Sequence, residues 1–83
     1  MLHRRLYRIY YTVYDDKVNE IVISSLEKKY GSKVNVINSK LVPEFRALEL
    51  YLDKKGLSDE IKELVSSIIN SKYVRVDYID TSQ

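Results

Sequence analysis

The 83-residue sequence predicts an α+β fold in which two helices cover one face of a four-stranded antiparallel sheet. Four stretches alternate along the chain with the period of two that strands require. Two longer stretches repeat apolar residues at the three-to-four spacing of a helix, and glycine, proline or aspartate marks several boundaries. These observations give the element order β-α-β-β-α-β in one domain.

The first predicted strand covers residues 6–14, LYRIYYTVY, and alternates without interruption. Both sides carry large side chains, which indicates a strand in the middle of the sheet. One side, expected to face the helices, contains Tyr7, Ile9, Tyr11 and Val13. The other side, expected to face away from the helices, contains Leu6, Arg8, Tyr10, Thr12 and Tyr14.

Both helices have recognisable starts. Asp15 and Asp16 suit a helix N-terminus, where carboxylates accept from unpaired N–H groups and match the helix dipole. The first helix should end at Gly31, and Ser58 should cap the second. The predicted buried stripes are Val18, Ile21, Val22, Ser25 and Leu26 in the first helix, and Ile61, Leu64, Val65, Ile68 and Ile69 in the second.

The other predicted strands cover residues 33–38, 45–53 and 73–79, with Pro43 in the connection before the third strand. With right-handed crossovers, this order predicts a ferredoxin-like sandwich with strand order 4-1-3-2. Residues 1–5 are expected to fray and residues 80–83 to form a polar tail. The later strands should contribute to the core Val34, Val36, Leu48, Leu50, Leu52, Val74 and Val76.

The composition argues against catalysis. The chain has no cysteine, and its single histidine, His3, lies in the basic lead-in. We find no phosphate-binding glycine loop, nucleophile motif or metal-ligand spacing, so we predict no enzyme activity, metal or cofactor. No apolar run approaches the length of a membrane span, and no signal peptide is recognisable. We therefore expect a cytoplasmic protein with no membrane contact.

The sheet face away from the helices is the feature with functional content. It should carry five aromatic residues and two isoleucines, more than a monomer usually exposes to water. The residues expected to form an interface or a stacking surface are Arg8, Tyr10, Tyr14, Phe45, Tyr51, Tyr73 and Arg75. A second copy could cover this face, sheet to sheet or edge to edge. Single-stranded RNA could instead stack on it, although Glu49, Asp77 and the net charge of only +2 oppose phosphate binding.

Part of the sequence resembles a known family. The similar stretches are residues 20–26 (EIVISSL), Val34-Asn35-Val36-Ile37 after Lys29-Tyr30-Gly31, residues 48–52, helix 61–69 and Val74-Arg75-Val76. They resemble the NIL domain, a small relative of the ACT regulatory domains, and the layout is similar to archaeal Lrp-type effector domains. The resemblance implies a homodimer that senses a small amino acid, methionine in the transporter-associated members, at its interface.

The positions that this ligand would reach are Asn35 and Ile37 on the second strand, together with Asp15 and Asp16 in the loop after the first strand. Three functions therefore remain open at this stage. The first is a regulatory or assembly module that dimerises and binds a small ligand. The second is a single-stranded nucleic-acid-binding module, and the third is a subunit that docks on another protein.

Overall fold

The computed structural model describes residues 5–38 and 41–80 of the chain. The elements are β1 (Arg5–Thr12), α1 (Asp16–Tyr30), β2 (Val34–Asn38), β3 (Phe45–Leu52), α2 (Ser58–Ile69) and β4 (Arg75–Asp80). The predicted element order is confirmed. The expectations for His3, for the first four residues of the lead-in and for residues 81–83 lie outside the described part of the chain. Arg5 and Asp80, which we expected in the frayed lead-in and the tail, belong to β1 and β4 and face each other.

The four strands form one sheet in the order β2-β3-β1-β4, and every neighbouring pair is antiparallel. Numbered from the opposite edge, the same order reads 4-1-3-2. The two central strands are β1 and β3, as their large side chains on both faces predicted. This order leaves β2 and β4 as the two edges of the sheet.

Both helices pack on the same face of the sheet. One contiguous buried cluster draws side chains from β1, β2, β3, both helices and the residue before β4, and Val76 of β4 packs against it. The cluster contains Tyr7, Ile9, Tyr11, Val22, Leu26, Val34, Leu48, Leu50, Leu52, Ile61, Val65 and Val74. Burial of this apolar area is the main favourable contribution to folding. Among the residues that the structure describes, no helix lies over the opposite face of the sheet, and we call it the open face.

Some core predictions are wrong. Val36 is 46% exposed, because β2 lies at the edge of the sheet and its middle is left uncovered on the helix side. In α1, Ile21 is 52% exposed, whereas Asn19 is buried because the Tyr11 hydroxyl donates a 2.5 Å hydrogen bond to its Oδ1. The buried side of α1 is therefore rotated relative to the apolar stripe that the sequence predicts. Val13 and Val76 are only partly buried.

The helix ends show both correct and wrong predictions. Asp15 caps α1, since its Oδ1 accepts from the Lys17 N–H at 2.8 Å, and Gly31 ends that helix with φ 66°. Ser58 is the first helical residue rather than the cap of α2, so its predicted capping role is wrong. At that end, the Leu57 N–H donates to the Tyr7 hydroxyl at 3.4 Å.

Candidate functional site

The open face is built from four rows of side chains that cross the sheet. Each row follows from the registers of the paired strands. The rows are Ile79-Leu6-Tyr51, Asp77-Arg8-Glu49-Asn35, Arg75-Tyr10-Ala47-Ile37 and Thr12-Phe45. The charged groups thus concentrate in the middle of the face, and apolar groups lie on either side of them.

The charges on the open face are largely paired with one another. Arg8 Nε of β1 lies 2.9 Å from Glu49 Oε2 of β3, and this hydrogen bond raises the pKa of Arg8. Arg75 bonds along its own strand, with its Nε 2.9 Å from Asp77 Oδ1. Each cation on the described face therefore has a carboxylate beside it, which weakens any attraction for phosphate groups.

The aromatic residues of the predicted stacking surface are not all on the face. Tyr14 and Tyr73 are 81% and 80% exposed, but both lie outside the strands. The reason is that β1 ends at Thr12, where the chain turns into the α1 cap, and β4 begins only at Arg75. The strands carry three of the five aromatic residues: Tyr51, and Tyr10 stacked against Phe45 with ring centroids 6.0 Å apart.

A shallow groove of about 690 Å³ lies at one end of the open face. Tyr10 and Phe45 line it together with Tyr73, Lys72 and Arg75. The Lys72 ammonium group lies 5.9 Å from the centre of the Tyr73 ring, which is the geometry of a cation–π contact. This groove is the part of the molecule that most resembles a surface for stacking a base.

A second exposed surface lies around β2 and the connection to β3. We call it the edge patch, and it consists of Val36, Ile37, Leu41, Val42 and Phe45. Val36 points to the helix side, Ile37 and Phe45 lie on the open face, and Leu41 is 93% exposed in the connection. Sequence analysis missed Leu41 and Val42, although two adjacent aliphatic residues in a polar connection were a usable signal.

In the described part of the chain, no strand pairs with the outer edge of β2, where Val34 bonds to a side chain. The Val34 N–H donates to Glu27 Oε2 at 2.9 Å, so it points away from β3. In an antiparallel strand, alternate residues direct their N–H and C=O groups to the same side. The N–H and C=O groups of Val36 and Asn38 therefore also point outward.

A second hydrogen bond also indicates that the N–H and C=O groups of Val36 point away from β3. The Val13 N–H donates to the Glu44 carbonyl at 2.9 Å, which extends the β1–β3 ladder through the odd-numbered residues of β1. Alternation across β3 then makes Asn35 and Ile37 the residues of β2 that bond to β3. Val36 is thus the central outward-facing residue of the edge.

The four predicted ligand-binding residues do not come together. Asp15 is occupied as the helix cap, and Asp16 lies 2.9 Å from Arg46 Nη2. Arg46 is opposite the last residue of β2, three positions from Asn35. Ile37 belongs to the edge patch, whereas Asn35 lines a cavity of about 720 Å³ at the other end of β2.

Buried tyrosines are the other polar groups of interest. Burial raises the pKa of Tyr11 well above its usual value, so this hydroxyl stays protonated and donates to Asn19. The Tyr7 hydroxyl donates to the Lys54 carbonyl at 2.7 Å, and burial raises its pKa too. These hydroxyl groups therefore hold β1 against α1 and against the turn that follows β3.

Within residues 5–38 and 41–80, no three His, Cys, Asp or Glu side chains are grouped closely enough to hold a metal ion. None of the helices in this part of the chain is long and apolar enough to cross a membrane. Comparisons of the chain with protein-family models, with curated proteins and with solved structures found no match. The edge patch, the open face and the cavities are therefore the features that bear on function.

Proposed function

We propose that this chain is a non-catalytic regulatory or assembly module that forms a homodimer along β2. The observation that carries the proposal is the edge patch beside a strand edge that pairs with no other strand of the described residues. Exposed aliphatic residues on both sides of one edge strand are typical of a surface that another strand covers. A second copy is the occupant that we propose, because the edge is complementary to itself.

The self-complementarity follows from the sequence and the register of β2. No residue of β2, VNVIN, is charged, so two copies of this strand meet without repulsion. Antiparallel pairing centred on Val36 lets the two Val36 residues exchange both N–H···O=C bonds. On the open face, Asn35 of one copy then lies opposite Ile37 of the other. The result is one continuous eight-stranded sheet.

The resemblance to NIL and ACT domains supports the regulatory part of the proposal. We infer a ferredoxin-like sandwich from the element order and from the placement of both helices on one face. In the resembled family, such a domain senses a small amino acid at a dimer interface. Asn35 is the residue that would link the two roles here, because it belongs to β2 and lines the cavity of about 720 Å³.

The direct test is light scattering over a concentration series, with Val36→Lys compared to wild type. We expect a wild-type dimer and a monomeric variant, since each interface would place two ammonium groups side by side. Ile79→Lys is the matched control, because Ile79 is a similarly exposed aliphatic residue on the other edge strand. A wild-type monomer at every concentration, or equal effects of both variants, would contradict the β2 dimer.

Tyr51→Glu separates this arrangement from sheet-to-sheet packing. Tyr51 lies on the open face, in the row with Leu6 and Ile79. An edge-to-edge dimer should tolerate the new charge, whereas a dimer packed through the open face should dissociate. If Tyr51→Glu dissociates the dimer and Val36→Lys does not, the dimer interface is the open face and not β2.

The groove lined by Tyr10, Phe45 and Tyr73 favours single-stranded nucleic acid as a second candidate. Bases can stack on exposed aromatic rings, and Lys72 and Arg75 are close enough to meet phosphates. We would measure binding of a labelled oligonucleotide at low and high salt, beside Tyr73→Ala. Absence of binding at low salt would exclude this candidate, and a monomer that binds no oligonucleotide would favour docking on a different protein.

A further inference from the structure

Three lysines from three separate segments line the cavity that Asn35 reaches. Lys29 is in the last turn of α1, Lys33 precedes β2, and Lys54 follows β3. The cavity has a volume of about 720 Å³, within the range of roughly 300–1,000 Å³ that is typical of small-molecule sites. Elements distant in sequence thus bring positive charge to one concave surface.

Of the three lysines, only Lys29 has a carboxylate within salt-bridge distance in the described residues. Glu60 is already engaged, because its Oε1 accepts from the Tyr30 hydroxyl at 2.8 Å and lies 3.5 Å from Lys29 Nζ. The hydrogen bond from Tyr30, followed by the charge of Lys29, lowers the pKa of Glu60. Within the described part of the chain, neither Lys33 nor Lys54 forms a salt bridge.

Asp53 is the carboxylate of the described lining, and a further cation lies next to it. The Arg5 guanidinium donates from Nη1 to the Asp53 carbonyl at 2.7 Å. Its Nε is buried and has no hydrogen-bond partner in the described residues. Among the described residues, the lining thus carries three lysines and one carboxylate, with Arg5 next to it.

The uncharged part of the lining suits an organic anion. Ser32 and Tyr51 supply hydroxyl groups, and Asn35 supplies an amide, all of which can donate to anion oxygens. Leu52 and Leu57 add an apolar surface for the body of a small molecule. Charged, hydrogen-bonding and apolar groups in one cavity are the usual composition of a ligand site.

We propose that this cavity binds a small multivalent anion, a phosphate- or carboxylate-bearing molecule, with Lys33 and Lys54 as its main charged contacts. This inference rests on the ligand-binding part of the proposed function, for which it specifies the ligand class. It is independent of the homodimer, because all of the lining residues belong to one copy of the chain. Asn35 would connect ligand binding to the β2 edge.

The test is isothermal titration calorimetry of the full chain with two probes, inorganic pyrophosphate and citrate. The double variant Lys33→Gln/Lys54→Gln should bind the preferred probe at least about tenfold more weakly, because two charge-assisted contacts are removed. Lys17→Gln/Lys62→Gln is the matched control, which removes the same net charge from two exposed helix positions outside the cavity. Binding of pyrophosphate alone would indicate a phosphoryl ligand, and binding of citrate alone a carboxylate ligand.

Two results would overturn the inference. The first is a wild-type protein that gives no saturable binding with either probe. The second is an equal loss of affinity in both double variants, which would mean that net charge rather than the cavity attracts the anions. Light scattering of the same samples separates the two proposals. If the protein is a dimer that binds neither probe, the ligand site is wrong and the β2 dimer stands. If it is a monomer that binds pyrophosphate, the β2 dimer is wrong and the ligand site stands.

Discussion

The two edge strands of the sheet differ in how they discourage pairing with other chains. In β4, three of the six residues are charged, namely Arg75, Asp77 and Asp80. In β2, none of the five residues is charged. Charged side chains on an edge strand are a known protection against unwanted strand pairing. The charged side chains therefore protect β4 against strand pairing, and β2 has no such protection.

The backbone of β4 would otherwise be as available as that of β2. Alternation of the ladder makes Arg75 and Asp77 the residues that bond to β1, so Val76 and Tyr78 direct their N–H groups outward. The difference between the edges therefore lies in the side chains. One open edge allows a closed dimer, whereas two open edges would allow unlimited growth of the sheet.

The largest effect should come from Val36→Pro, which removes the central outward N–H of β2. In the proposed dimer this loses two reciprocal hydrogen bonds and leaves two buried carbonyls unpaired, so the dimer should weaken by about a hundredfold or more. The β2–β3 ladder keeps its own bonds, because Val36 does not donate to β3. Analytical ultracentrifugation would measure the dissociation constant.

Two variants control for this change. Val36→Ala removes side-chain contacts but keeps the N–H, and we expect a smaller loss of dimer affinity. Val76→Pro removes an outward N–H from the protected edge and should leave the dimer intact, provided that circular dichroism shows a folded sheet. If Val76→Pro dissociates the dimer as strongly as Val36→Pro, the contrast between the edges is wrong.

A smaller effect should follow from making β4 resemble β2. The double variant Arg75→Val/Asp77→Val removes the ion pair from β4, so we expect species larger than a dimer in sedimentation velocity. The matched control is Arg75→Asp/Asp77→Arg, which reverses the pair and keeps both charges. A neutral variant that sediments like wild type would show that these charges do not protect the edge.

The smallest effect concerns pH and the cavity beside β2. The Tyr30 hydroxyl and Lys29 lower the pKa of Glu60 in the folded protein. The carboxylate therefore adds stability above its unfolded pKa of about 4.3, and that stability is lost as the pH falls through the folded pKa. Glu60→Gln should lower the melting temperature slightly at neutral pH and not at strongly acidic pH.

Melting curves from neutral to strongly acidic pH would check this, with Glu63→Gln, at an exposed position of the same helix, as the control. A difference between wild type and Glu60→Gln that stays constant across the whole pH range would contradict an ionic role for Glu60. Anion binding in the cavity would be measured separately, in buffer without multivalent anions.

The sequence predicted the element order and the central strands because those depend on local alternation and on the rules of connection. The predictions were wrong for residues whose burial depends on how far the helices extend over the sheet or on a specific hydrogen bond. Val36 has the right alternation for the core, yet only the position of the helices shows that its side chain stays exposed. The burial of Asn19 likewise depends on the Tyr11 hydroxyl, which no apolar stripe reveals.

The candidate sites were predictable only in part. Counting aromatic residues identified the open face, but the ends of β1 and β4 placed Tyr14 and Tyr73 outside it. The lysine-lined cavity was not predicted, because Lys29, Lys33 and Lys54 come from turns and helix ends without periodicity. Asn35 was selected through the resemblance to NIL domains, and its function stays a prediction.

The central position of β1 has a consequence for how the chain is made. On the ribosome, β1 is synthesised before either of its neighbours, β3 and β4, and its last pairing requires the sixth element of the fold. Until then, an apolar and aromatic segment has no strand along one of its two sides, which exposes it to association with other nascent chains. Such distant pairings also favour slow folding. Completion of β4 is thus the event that ends the vulnerable period of this protein.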